Sequence, residues 1–106
     1  MAGFYKYGTS THTIDDLLQL VSTRLEMTFA KRESDYRGTY HLARDHGIQV
    51  EIQPNGIPGD DEEEFYDSAH PEFRVLVLTT TPVPDPTLSA RLDSIEGLVH
   101  LSRESG

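Results

Sequence analysis

Residues 73–78 read Phe-Arg-Val-Leu-Val-Leu, a near-continuous apolar run, and Pro82-Val83-Pro84 follow shortly after it. A strand wetted on one face would place a polar residue at every second position, so a run of this kind is expected to be buried on both faces. The prolines bar its continuation, because they lack the N–H that a ladder requires. Phe73 to Thr79 is therefore expected as a central strand. A chain of 106 residues has room for one core around it.

The remaining pattern surrounds that strand with mixed elements. Phe4 to Thr9 reads as a first strand, with Phe4, Tyr5 and Tyr7 suited to a pleated sheet. Ile14, Leu17, Leu18, Val21 and Leu25 then recur at the spacing of one helical face, which predicts a helix over roughly 14–26. Thr13 is its expected N-cap, with Asp16 at the capping-box position and two acids in the first turn, where the helix dipole favours them. Three strands are expected next, over Thr28–Ser34, Tyr36–Ala43 and Ile48–Gln53, separated by the glycine-containing turns 35–38 and 45–47. In the last of these, Ile48, Val50 and Ile52 alternate with Gln49, Glu51 and Gln53, which predicts an antiparallel meander with one wet face. Asp85 caps a second helix with Pro86 at its first position. Leu88, Leu92 and Ile95 form its stripe, and Gly97 closes it. Leu98–Ser102 is expected as a last strand and residues 103–106 as a frayed tail. The expected fold is a single α+β domain over residues 1–106. It is a two-layer sandwich with two helices on one face of a mainly antiparallel sheet of five to six strands.

The charge is localised. The chain carries 18 Asp+Glu against 9 Lys+Arg, a formal charge of −9. Between Arg44 and Arg74 there are nine acids and no Lys or Arg: Asp45, Glu51, Asp60, Asp61, Glu62, Glu63, Glu64, Asp67 and Glu72. The rest of the chain thus holds 18 − 9 = 9 acids against 9 bases and is neutral. An acidic block of this kind argues against general nucleic-acid binding, which depends on cationic side chains to neutralise phosphates. It favours a basic partner, a cation or plain solubility. Residues 54–72 hold seven of these nine acids, with three Pro and two Gly, and are expected as a long loop.

Cysteine is absent, which excludes disulfides, thiolate metal sites and cysteine nucleophiles. No apolar run approaches the roughly 20 residues needed to cross a bilayer. The opening Met1-Ala2-Gly3-Phe4-Tyr5-Lys6 has no signal-peptide h-region. A cytoplasmic domain with no membrane association is the expectation.

Several constellations bear on chemistry. His41, Asp45 and His46 lie close in sequence, but a zinc site needs three or four convergent ligands, and no metal or other cofactor is expected. The Asp60–Glu64 run lacks the alternating ligands and central glycine of a calcium loop. Ser10, His12 and Asp15 form a possible nucleophilic trio, yet Thr9-Ser10-Thr11 precede a helix whose start needs polar caps. No nucleophile elbow or phosphate loop is present, so no catalytic residue is expected. Tyrosine offers rigid apolar area with a polar tip and is enriched at interface hot spots. Phe65 and Tyr66 stand directly beside the carboxylates, so Asp60, Asp61, Glu62, Glu63, Glu64, Phe65 and Tyr66 are the candidate partner-binding residues. The alternative is a ligand pocket between the sheet and the long loop, using Tyr36, Tyr40, His41 and His70.

Tyr36-Arg37-Gly38-Thr39-Tyr40, the strand over Ile48–Gln53, the Pro54-Asn55 exit and the acidic loop resemble small actinobacterial α/β proteins. In size, acidity and layout the chain also resembles the immunity proteins of bacterial toxin–immunity systems. That second resemblance implies a non-enzymatic protein that binds a cognate toxin and covers its active site. It also implies an acidic surface where the toxin is a basic nuclease.

Overall fold

The apolar run lies at the heart of a six-stranded sheet in the computed structural model. The structure describes residues 3–34, 38–45, 47–57, 64–65, 69–70, 72–82 and 86–105. In chain order the elements are β1 (Gly3–Thr9), α1 (Ile14–Leu25), β2 (Ala30–Ser34), β3 (Gly38–Asp45), β4 (Ile48–Pro54), the short β5 (Gly56–Ile57) and β6 (Glu64–Phe65), β7 (Val75–Thr81), α2 (Pro86–Asp93) and β8 (Val99–Ser105). The main sheet has the order β2-β3-β4-β7-β1-β8, with every neighbouring pair antiparallel. The four strands β8-β1-β7-β4 alone have the split βαβ arrangement of ferredoxin-like folds. The β2–β3 hairpin, inserted between α1 and β4, extends the sheet at one edge.

Both helices pack on one face. Leu17, Val21 and Leu25 of α1 and Leu88 and Leu92 of α2 cluster with Tyr5, Tyr7, Val50, Ile52, Val75 and Val77, which share one parity across β1, β4 and β7. Helix α1 starts as its sequence dictates, with the Asp16 amide donating to Thr13 Oγ1 at 3.1 Å. Before it, Thr9 Oγ1 accepts from the amides of Thr11 and His12. These polar residues thus make the turn into the helix. Helix α1 ends at Glu26, which adopts the left-handed conformation (φ 53°, ψ 45°) usually left to glycine. Gly97 (φ 86°) is a true glycine position, because a Cβ there would lie 2.5 Å from Thr11 Oγ1 and 2.9 Å from His12 Nε2.

Strands β5 and β6 fall inside the stretch 54–72 that was expected as loop, and β7 and β8 have other bounds than expected. Strand β8 runs on to Ser105 where a frayed tail was expected, because β1 offers it a full edge: Tyr5, Phe4 and Gly3 pair with Arg103, Glu104 and Ser105. Strand β7 begins at Val75, two residues after the apolar run starts, since Phe73 and Arg74 belong to the incoming turn: the Phe73 amide donates to His70 O and the Arg74 amide to Thr9 O. Asp85, the expected cap of α2, lies outside the described residues.

Candidate functional site

The acidic segment leaves the sheet after β4 and returns before β7, and one buried side chain joins the two crossing points. The Asn55 amide N–H donates to Arg74 O at 2.8 Å, and its side-chain Nδ2 donates to His70 O at 2.9 Å and Phe73 O at 2.8 Å. A carboxamide NH2 carries two donors, and here each meets one carbonyl of the turn that leads into β7. Asn55 is fully buried, so losing these bonds would leave polar groups without water. Beyond this root, Gly56 pairs with Phe65 and Ile57 with Glu64, closing a small antiparallel ladder. Residues 58–63, Pro-Gly-Asp-Asp-Glu-Glu, connect its two strands.

Of the candidate partner-binding residues, Glu64 and Phe65 therefore lie in β6. Asp60, Asp61, Glu62, Glu63 and Tyr66 lie outside the described residues, as does Tyr36 from the alternative pocket. Among the flanking acids, Asp45 and Glu72 are exposed and Glu51 is half-buried. Glu51 Oε1 accepts from Gln49 Nε2 at 2.9 Å, while Gln49 Oε1 accepts from Arg44 Nε at 3.1 Å. Gln49 thus bridges the Arg44 guanidinium and the Glu51 carboxylate across β3 and β4.

The remaining pocket residues separate. Neighbours along a strand face opposite ways. His41 pairs with Ile52 and shares the helix-covered face, whereas Tyr40 shares the other face with Leu42. His70 lies at the root of the acidic segment with its ring 6.2 Å from that of Phe73. Phe73 in turn packs over Gly8, where a Cβ would lie 2.9–3.0 Å from Phe73 carbons. Absence of a side chain at position 8 is what lets the returning chain sit against β1.

That contact reveals a residue the alternation misplaces. Gln53 is expected on a wet face with Gln49 and Glu51. Instead it is fully buried beside its β7 partner Leu76, itself fully buried. Among the described residues, the Gln53 Oε1 and Nε2 atoms have no hydrogen-bond partner. The far face of the sheet is therefore covered at its Gln53–Leu76 end, near the root of the acidic segment. It remains open at the other end, where Phe4 is exposed and Leu78 half-buried. Double-sided burial of the central strand was the available signal: if β7 is covered twice at Leu76, its neighbour in β4 is covered with it.

On the helix face a second polar group is built around Tyr7. Its hydroxyl lies 2.9 Å from Ser89 Oγ on α2, and the His100 ring of β8 stacks on it at a centroid distance of 4.9 Å. Burial pushes the Tyr7 phenol above its ordinary pKa of 10.0, and the Asp93 carboxylate and Tyr5 add to this, while the Ser89 hydrogen bond opposes it. The group is thus a neutral hydrogen-bonding phenol that ties β1 to α2. His12 Nε2 lies 2.6 Å from Glu96 O, which ties the start of α1 to the turn after α2. Among the described residues, no three of His, Asp and Glu are gathered in a way that could hold a metal ion. None of their helices is long and apolar enough to cross a membrane.

No family model matches the chain, and no curated protein matches it. The class defined by the geometry is an open α+β sandwich whose central hairpin connection carries an acidic excursion on a pinned root.

Proposed function

We propose that the protein is a non-enzymatic binding protein of the immunity or antitoxin type, acting in the cytoplasm to neutralise a basic protein partner. The reading rests on one observation above all: the only base-free, acid-rich stretch of the chain is carried on a ladder rooted by the buried Asn55. A tether of this kind restricts where the carboxylates can go, which reduces the ordering cost of docking. Asp60 to Glu64 steer a cationic surface into contact, and Phe65 and Tyr66 supply the apolar anchor. Occlusion of the partner's own site is then steric and electrostatic, and needs no chemistry from this chain.

The test begins with a partner captured from the native host or encoded beside this gene. Replacing Asp60 and Asp61 by Asn and Glu62, Glu63 and Glu64 by Gln is expected to slow association at least about tenfold at low salt, with the difference shrinking as salt rises. An association rate that does not change would refute the steering role. A second reading, a small-molecule or enzymatic site between sheet and acidic segment, is favoured by the buried, unpartnered amide of Gln53 on the face that Tyr40 shares. A small ligand whose binding is lost in Gln53→Met, with the acidic run irrelevant, would establish it instead.

A further inference from the structure

We propose that a groove at the other end of β4 binds a free apolar α-amino acid as its zwitterion. The seven-residue strand separates this groove from the acidic ladder by about 20 Å, and the inference does not depend on the ladder's role. The groove has a volume of about 210 Å³ and forms where the β3–β4 turn meets the end of α1 and the start of α2. Its apolar lining comes from Leu25, Met27, Ile48 and Leu88. The left-handed turn at Glu26, the one non-glycine residue with positive φ among those described, stands between Leu25 and Met27, both of which line the groove.

Thr87 and two charges of opposite sign complete the lining. Asp45 comes from the end of β3 and Arg91 from α2. Both are exposed. Among the described residues, the Arg91 guanidinium makes one hydrogen bond, a long one of 3.5 Å from Nη1 to Arg24 O. The rest of its donor fork is therefore available to a carboxylate, which it can hold at two points. Asp45 offers a carboxylate with several acceptor positions, so an ammonium can share it with other donors.

This combination selects a narrow chemical class. A plain carboxylate would satisfy Arg91 and be repelled by Asp45, and a plain amine would meet the converse. An α-amino acid carries both charges on one carbon and presents its side chain to the lining. Apart from the Thr87 hydroxyl at the start of α2, the uncharged lining is Leu25, Met27, Ile48 and Leu88, so a charged or amide side chain would lose more hydration than it regains there, and an aliphatic or thioether one would not. The volume lies below the roughly 300–1,000 Å³ of drug-sized sites, in keeping with a ligand as small as leucine or methionine.

The test is a titration of the ¹⁵N-labelled protein with L-leucine to about 10 mM, followed by backbone amide shifts. Saturable shifts centred on Leu25, Ile48 and Leu88 are expected. N-acetyl-L-leucine, which lacks the ammonium, and L-leucinamide, which lacks the carboxylate, are each expected to bind at least about tenfold more weakly. L-glutamate is expected to give no saturable shift. Asp45→Asn should abolish the preference for leucine over N-acetyl-leucine, and Arg91→Gln the preference over leucinamide. No shift with leucine, or equal binding of all three leucine compounds, overturns the proposal, and that comparison holds even if a variant folds poorly.

Discussion

At the scale of single residues, Gln53 carries the largest conflict between local pattern and position. A buried amide with neither atom bonded forfeits the hydration it had in the unfolded chain. Replacing it by methionine, of similar length and without a polar terminus, is expected to stabilise the fold by about 1–3 kcal/mol, measured as a higher urea midpoint at unchanged slope. A lower midpoint would mean that the amide has a partner in solution. Asn55, two residues on, is the opposite case: equally buried, but with both side-chain donors matched to carbonyls. Nothing in the local sequence distinguishes these two amides, because their fates depend on the strand that returns beside them.

At the scale of elements, the acidic excursion is held by the fit between β1 and the segment entering β7. Gly8 provides the space for Phe73, and the Arg74 amide bonds Thr9 O directly beyond it. Gly8→Ala forces a methyl group against ring and Cβ carbons that cannot swing aside cheaply, and is expected to cost about 1–3 kcal/mol. Hydrogen exchange at the Asn55 and Arg74 amides should accelerate with it. Gly56→Ala is the matched control: an added Cβ there meets nothing within 4 Å, so stability should stay within about 0.5 kcal/mol of the parent. Equal loss in both variants would show that the effect does not come from the Phe73 contact. Of the elements themselves, α1 was the most legible, since five apolar residues and a capping threonine lie within a single local stretch. The β5–β6 ladder was not, as two residues on each side carry no period.

At the scale of the whole molecule, Tyr7 links the sheet to α2 and couples stability to alkaline pH. Its folded-state pKa is raised above the ordinary value of 10.0, so the folded protein holds the phenolic proton more tightly than the unfolded chain does. That contribution is fully present below about pH 10 and is lost as pH rises through the folded-state value. Tyr7→Phe is expected to lower stability by about 1 kcal/mol at neutral pH, through loss of the Ser89 hydrogen bond. The variant's stability should then fall less steeply than the parent's above pH 10. Parallel curves would show that Tyr7 does not ionise in the window where the fold weakens.

The sequence by itself determined the local terms: the period of α1, the alternation of β4, the double-sided burial of β7 at Val75 to Val77, and the confinement of net charge to one stretch of the chain. These follow from near-neighbour spacing and composition, which need no partner to be read. Only the tertiary structure decided the order β2-β3-β4-β7-β1-β8, the continuation of β8 to Ser105, the coverage of Gln53, and the placing of Asp45 of β3 and Arg91 of α2 at one groove. Each depends on which edge or face lies opposite, a relation between residues far apart in the chain. The physical reason is the same throughout: a side chain's period is a property of its own segment, whereas its burial and its partners are properties of whatever packs against it.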